Sequence, residues 1–305
     1  MHDTETGPPT APSVPADTRT QHRPDGSVSG YHSHRTLPVR AELRRQLTRR
    51  RTRLMLGFLA VLPAFLLLAF ELGGGGDRDG TGARDLADMA TTSGLNFAVF
   101  TLFVATGFLL VVMAALFFGD TVAIEASWSS LKYLLAAPIP RARLLRQKAI
   151  VAAILTGFGL GLLILVALGL GVWWYGWDAL LTPSGEVLGF PAGMLGLVGA
   201  GAYLAVHLMW IAGLALWFSV STDAPLGAVG GAVLVSILSQ ILDGLTVLGE
   251  LRMYLPTHYS TAWFDLLSTE IDWTAPVNGA FSGMAYATVF ALLALYRFHR
   301  KDITS

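Results

Sequence analysis

Residues 149–177 read AIVAAILTGFGLGLLILVALGLGVWWYGW. No charged side chain interrupts this run, and it exceeds the ~20 residues a helix needs to cross about 30 Å of hydrocarbon. Arg141, Arg143, Arg146 and Lys148 precede it, and Trp173, Trp174 and Trp177 close it. Cations at one end and amphipathic rings at the other are the flanks of a membrane span. Lipid offers no water to stray backbone groups, so the run must be helical. Its glycines do not oppose this, because Gly is commoner in membrane helices than in soluble ones. Gly157 and Gly161, like Gly227 and Gly231 further on, have small-xxx-small spacing, read here as close packing inside the bundle.

The same reading repeats along the chain. Of 305 residues, 53% are hydrophobic and 14% charged, against roughly 25% charged in soluble domains. Apolar runs at 54–72, 95–119, 149–177, 190–221, 224–248 and 276–298 predict an all-α integral membrane protein with six transmembrane helices. Fifteen basic residues flank the spans on one side: Arg40 to Arg53 before the first, Lys132 to Lys148 between the second and third, and Arg297 to Lys301 after the last. The opposite loops hold only Arg78, Arg84 and Arg252, amid acids such as Asp77, Asp85, Glu186 and Asp272. The positive-inside rule then puts both termini in the cytoplasm of a multi-pass plasma-membrane protein. Trp263 and Trp273 join the other tryptophans at the expected outer interface.

Residues 1–38 form a separate region, rich in Pro, Thr, Ser and Gly and nearly without large apolar side chains. It cannot bury enough surface to offset chain entropy, so a disordered cytoplasmic tail is expected, with His22, His32 and His34 solvated. It does not read as a signal peptide, since the first apolar run starts near Leu54. The remaining residues, 39–305, make one membrane domain. The chain has no cysteine, which removes disulfides, thiolate metal sites and cysteine nucleophiles together. Its net charge is zero, giving no hint of a nucleic-acid partner. His207 and Asp243 are the titratable groups deep enough in the spans to notice. The first reads as a packing histidine and the second as an interfacial acid. Neither belongs to the series of carboxylates expected of an ion-driven carrier.

Two polar stretches remain. Ala41–Arg53, AELRRQLTRRRTR, is basic with Leu43 and Leu47 four apart, and Arg44 and Arg45 between them. It suits a helix lying in the interface, leucines down and arginines among lipid phosphates. Between the second and third spans, Asp120–Lys148 reads DTVAIEASWSSLKYLLAAPIPRARLLRQK. Trp128, Leu131, Leu134 and Leu135 share a helical face, and Lys132 points elsewhere. Glu125 falls before or within the first turn, where the helix dipole favours an acid, and Pro138 and Pro140 stop the helix. About ten residues cannot span a bilayer, so this helix stays at the inner surface.

These residues resemble a known pattern. Glu125, then Leu131-Lys132-Tyr133-Leu134-Leu135, then Pro138-Ile139-Pro140-Arg141, Leu144-Leu145 and Lys148 look like the cytoplasmic loop of type 2 ABC exporter permeases. The ending Phe298-His299-Arg300-Lys301-Asp302-Ile303 is similar to their tail, and the basic helix before the first span matches their elbow helix. Ser129, and the outer loop 73–94 with its four consecutive glycines, depart from the pattern and leave the subfamily open. The resemblance implies a permease subunit that forms a translocation pathway and pairs with a second permease, identical or not. It implies that the short helix is a coupling helix, seated in a groove of a separate ABC ATPase subunit. Trp128, Leu131 and Leu135 would be its apolar anchors. Lys132 and Arg141 would meet the groove's rim, Pro138 would end the helix, and Glu125 would hold the loop to the elbow helix through Arg44 or Arg45. ATP and magnesium would bind the partner, because no G-x-x-x-x-G-K-[ST] occurs in this chain.

Between the fifth and sixth spans, residues 250–273 are partly amphipathic, and the resemblance implies short re-entrant or surface helices there. Two other classes remain open on the residues alone. An intramembrane enzyme would need convergent nucleophiles, bases or ligands at membrane depth, where His207 stands by itself. A membrane assembly factor without transport could use the same docking helix.

Overall fold

The computed structural model describes residues 39–73, 83–127, 141–182 and 184–300. The tail 1–38, the segment 128–140 with Trp128, Leu131, Lys132, Leu135 and Pro138, most of the glycine run, and the ending 301–305 lie outside the described residues. Ten α-helices are described: α1 Val39–Thr48, α2 Arg50–Gly73, α3 Ala83–Ala90, α4 Gly94–Thr106, α5 Leu109–Ser127, α6 Arg141–Tyr175, α7 Phe190–His207, α8 Met209–Ser221, α9 Pro225–Asp243 and α10 Thr274–Arg300. A small antiparallel hairpin, β1 Leu180–Leu181 and β2 Val187–Leu188, pairs Leu180 with Leu188. The protein is an all-α membrane protein. Five helical stretches are long and apolar enough to cross a bilayer: 50–73, 142–175, 190–221, 225–243 and 274–300.

The second apolar run departs from expectation. It is not one straight helix over 95–119 but two helices, α4 and α5, bent by 56° around Gly107 and Phe108. The bend frees backbone groups, and Gln240 of α9 donates to the Gly107 carbonyl at 2.9 Å. The two ends of this pair meet opposite ends of α6. The Gly94 amide donates to the Gly176 carbonyl at 3.2 Å, while Glu125 meets Lys148. Gly94 is required there, since a Cβ on it would lie 2.5 Å from the Val172 nitrogen. Ser93 caps α4 by accepting the Asn96 amide. Asn96 then clamps the hairpin, donating to the Leu181 carbonyl at 2.7 Å and accepting its amide at 3.0 Å.

The other helices run lengthwise beside this frame. α2 meets Asp120 through Arg51 at one end and Trp174 through Glu71 at the other. α8 is deeply enclosed, with Trp210, Ile211, Leu214 and Ala215 at the core alongside Leu110, Met113 and Leu163. α10 follows α8, with Ala287 against Gly213 and Phe290 stacked on Trp217. The lipid-compatible surface is apolar: Leu54, Phe58, Val61 and Phe65 point outward along α2.

Several expectations need correction. α5 continues to Ser127, so Asp120 and Glu125 lie on the last turns of that helix rather than in a loop or the first turn of the next one. α6 begins at Arg141, eight residues before the apolar run, because the basic residues continue the helix without a breaker. α9 stops at Asp243, short of 248; a 3₁₀ segment, Thr246–Tyr254, follows, kinked at Gly249 with φ +51°. A second one, Ala262–Leu267, packs on α7. It carries Trp263 into the core, fully buried and stacked on Phe264 at 4.0 Å, not half wet at an interface. Gly157 and Gly161 do not pack against the described residues of the bundle, none of which lies within 4 Å of a Cβ on either. Their neighbour Gly159 takes that role, against Met113 and Leu59. Gly231 does pack, on the Phe218 ring.

Candidate functional site at the basic end of the bundle

Lys148 is 3% exposed and immediately precedes the apolar stretch of α6. A buried ammonium is costly unless it is paired and hydrogen-bonded. Its Nζ donates to Glu125 Oε1 at 2.6 Å and to Glu42 Oε1 at 3.3 Å. Glu125 is 1% exposed and Glu42 6%. Arg45 reaches both carboxylates, Glu125 at 3.0 Å and Glu42 at 3.4 Å, and Gln46 donates to Glu42 at 3.2 Å. One network therefore ties α1, the end of α5 and the start of α6. A second pair, Arg51 to Asp120 at 3.3 Å, ties the start of α2 to α5 beside it.

The environment shifts charge here. Burial pushes the Glu42 carboxyl up, but Lys148 and Arg45 outweigh it, and the group ends below its ordinary value. Burial lowers the Arg49 guanidinium, and Arg45 beside it lowers it further. Ser219 of α8, fully buried, accepts the amides of Val122 and Ala123 at 3.0 and 3.1 Å. Backbone donors inside α5 are thus bonded to another helix, and the end of α5 is fixed to α8 as well as to α1 and α6.

Of the residues singled out in sequence, the structure brings Arg45 and Glu125 together. Arg44 is exposed and does not join them. Leu43 is partly buried against the core, while Leu47 is 38% exposed. The buried face of α1 is polar instead, formed by Glu42 and Gln46. Arg141 is the first residue of α6. Sequence reading missed Glu42, Gln46, Ser219 and the Arg51–Asp120 pair. The available signal was the single acid among the arginines of 40–53, with a cation and an amide at i+3 and i+4.

Elsewhere, an apolar groove of about 700 Å³ opens between α6, α8 and α10. Ala153, Gly157, Met209, Gly213 and Ala287 line it, and Arg146 stands at one end. His207 is buried, stacks on Tyr203 at 5.7 Å, and its Nδ1 has no hydrogen-bond partner among the described residues. Asp243 is paired with His258 at 2.6 Å, and both are partly exposed at the end of α9. Compared with known proteins, the chain matches no family model, and no curated protein matches it.

Proposed function

We propose that this chain is the permease subunit of an ATP-driven exporter of the ABC type, coupled to a separate ATPase subunit and paired with a second permease. The observation that carries the reading is the Lys148 network. The undescribed segment 128–140 begins just after α5 and ends just before α6, and Glu125 and Lys148 join those two helices at 2.6 Å. Through Glu42 and Arg45 the same network takes in α1. A push on segment 128–140 would therefore move α1, α5 and α6 together instead of being lost in a slack loop. That is what a coupling helix needs.

Six crossings fit this reading. The bent pair α4–α5 meets α6 at both of its ends, as one antiparallel span would. With it, the chain begins and ends at the basic end, which the positive-inside rule makes cytoplasmic. The groove between α6, α8 and α10 is an apolar route that suits a hydrophobic cargo better than an ion. Gly157 and Gly161 lie open on α6, where a second permease could approach closely.

The test is co-purification with a P-loop ATPase expressed alongside this chain. Changing Trp128 and Leu131 together to Asp should release the ATPase while the permease stays folded in the membrane. A complex that survives those two charges would remove the docking assignment.

A further inference from the structure

The basic end holds more cations than its acids can match. Lys148 and Arg45 balance Glu42 and Glu125, and Arg51 balances Asp120. Neither Arg49 nor Arg50 makes an ion pair within 4 Å among the described residues, although Glu42, Glu125 and Asp120 attract Arg49 from further off. Arg49 is the costlier of the two: its NH1 is buried and makes no hydrogen bond among the described residues. Segment 128–140, which follows α5 in sequence, reads WSSLKYLLAAPIP and contains no acid. A cleft of about 460 Å³ opens at this place, lined by Arg45, Arg49, Arg50 and Arg51, with Glu125 at its wall.

We propose that this cleft holds the phosphate of an anionic membrane lipid, clamped by Arg49 and Arg50. Guanidinium groups match phosphate oxygens by paired hydrogen bonds, and an anion there would satisfy the orphaned Arg49 nitrogen. The argument for a lipid over a free phosphate comes from α2. Arg50, Leu54, Phe58, Val61 and Phe65 follow at helical spacing on one face, and all four apolar members are at least 55% exposed. Arg50 thus heads an apolar ladder, and a headgroup on the arginines leaves an acyl chain to run down it. The proposal needs the membrane setting but not the exporter reading.

The full chain, purified in a neutral detergent, is titrated with dioleoyl phosphatidate, with dioleoyl phosphatidylcholine and with inorganic phosphate. Melting temperature and lipid retained in native mass spectrometry are the readouts. Phosphatidate should raise the melting temperature and stay bound, and phosphatidylcholine and phosphate should not. Changing Arg49 and Arg50 together to Gln should weaken phosphatidate binding by about tenfold or more. Arg50→Gln alone, at an exposed position, should weaken it while leaving the fold intact. Changing Arg44 and Arg53 together to Gln removes the same charge outside the cleft and should leave binding in place. Equal loss in that control would reduce the effect to general surface charge and overturn the proposal. Free phosphate acting as well as phosphatidate would overturn the lipid assignment. So would phosphatidate binding that appears only after residues 1–38 are deleted, because that segment would then be the occupant.

Discussion

Lys148 shows how one side chain can set the behaviour of three helices. Removing a single partner from a buried ionic network leaves the others charged and unpaired, which costs about 3–5 kcal/mol. Lys148→Met should therefore lower the unfolding free energy in detergent by about that amount, and adding Glu42→Gln and Glu125→Gln should recover part of it. If Lys148→Met is neutral, the network is not the clamp described here. Acid tests the same site from the other side. The Glu42 carboxyl lies below its ordinary 4.5 in the folded protein, since burial raises it but Lys148 and Arg45 lower it more. The folded state then holds that proton less readily than the unfolded chain. The stabilisation is complete above pH 4.5 and is lost as pH falls through the lower folded value. The gap in melting temperature between the native chain and Glu42→Gln should be open at neutral pH and close below pH 4.5. A gap that widens in acid would reverse the assigned sign.

Among the elements, the α4–α5 pair governs how the bundle is threaded. Its upper arm depends on Gly94, where a Cβ would meet the Val172 backbone at 2.5 Å. Backbone cannot swing aside as a flexible side chain can, so Gly94→Ala should cost about 1–3 kcal/mol and speed hydrogen exchange at the start of α4 and the end of α6. Unchanged exchange there would mean the helices have room to spare. The apolar runs themselves were legible, because bilayer thickness sets their length and lipid forces them helical. The bend was not, since Gly107 and Phe108 sit in an unbroken apolar run and the stabilising contact comes from Gln240, far away in sequence. The Arg45–Glu125 contact could be guessed from charge alone. Glu42 and Ser219 could not, because their roles depend on which helix ends meet. Trp263 misled for a related reason: an aromatic in a polar loop resembles an interface anchor until the loop folds it inward.

For the whole molecule, the number of crossings decides where the ends lie, and the bent pair is the only ambiguous element among the described residues. Counted as one span it gives six crossings and both ends on one side. Counted as a re-entrant loop it gives five, with the ends on opposite sides. The contacts of Gly94 with Gly176 and of Glu125 with Lys148 favour six, since α6 crosses and the pair meets it at each end. The chain has no cysteine, so single cysteines can report their side without background. Ser27→Cys and Ser305→Cys should both be shielded from an impermeant thiol reagent in intact cells and become reactive on lysis. Ser184→Cys, beside the hairpin, should react without lysis. Labelling of only one terminus in intact cells would make the pair re-entrant. It would also separate segment 128–140 from any cytoplasmic ATPase if the protected terminus were not the one bearing α1, because α1 is bound to both ends of that segment through Glu42, Arg45 and Lys148.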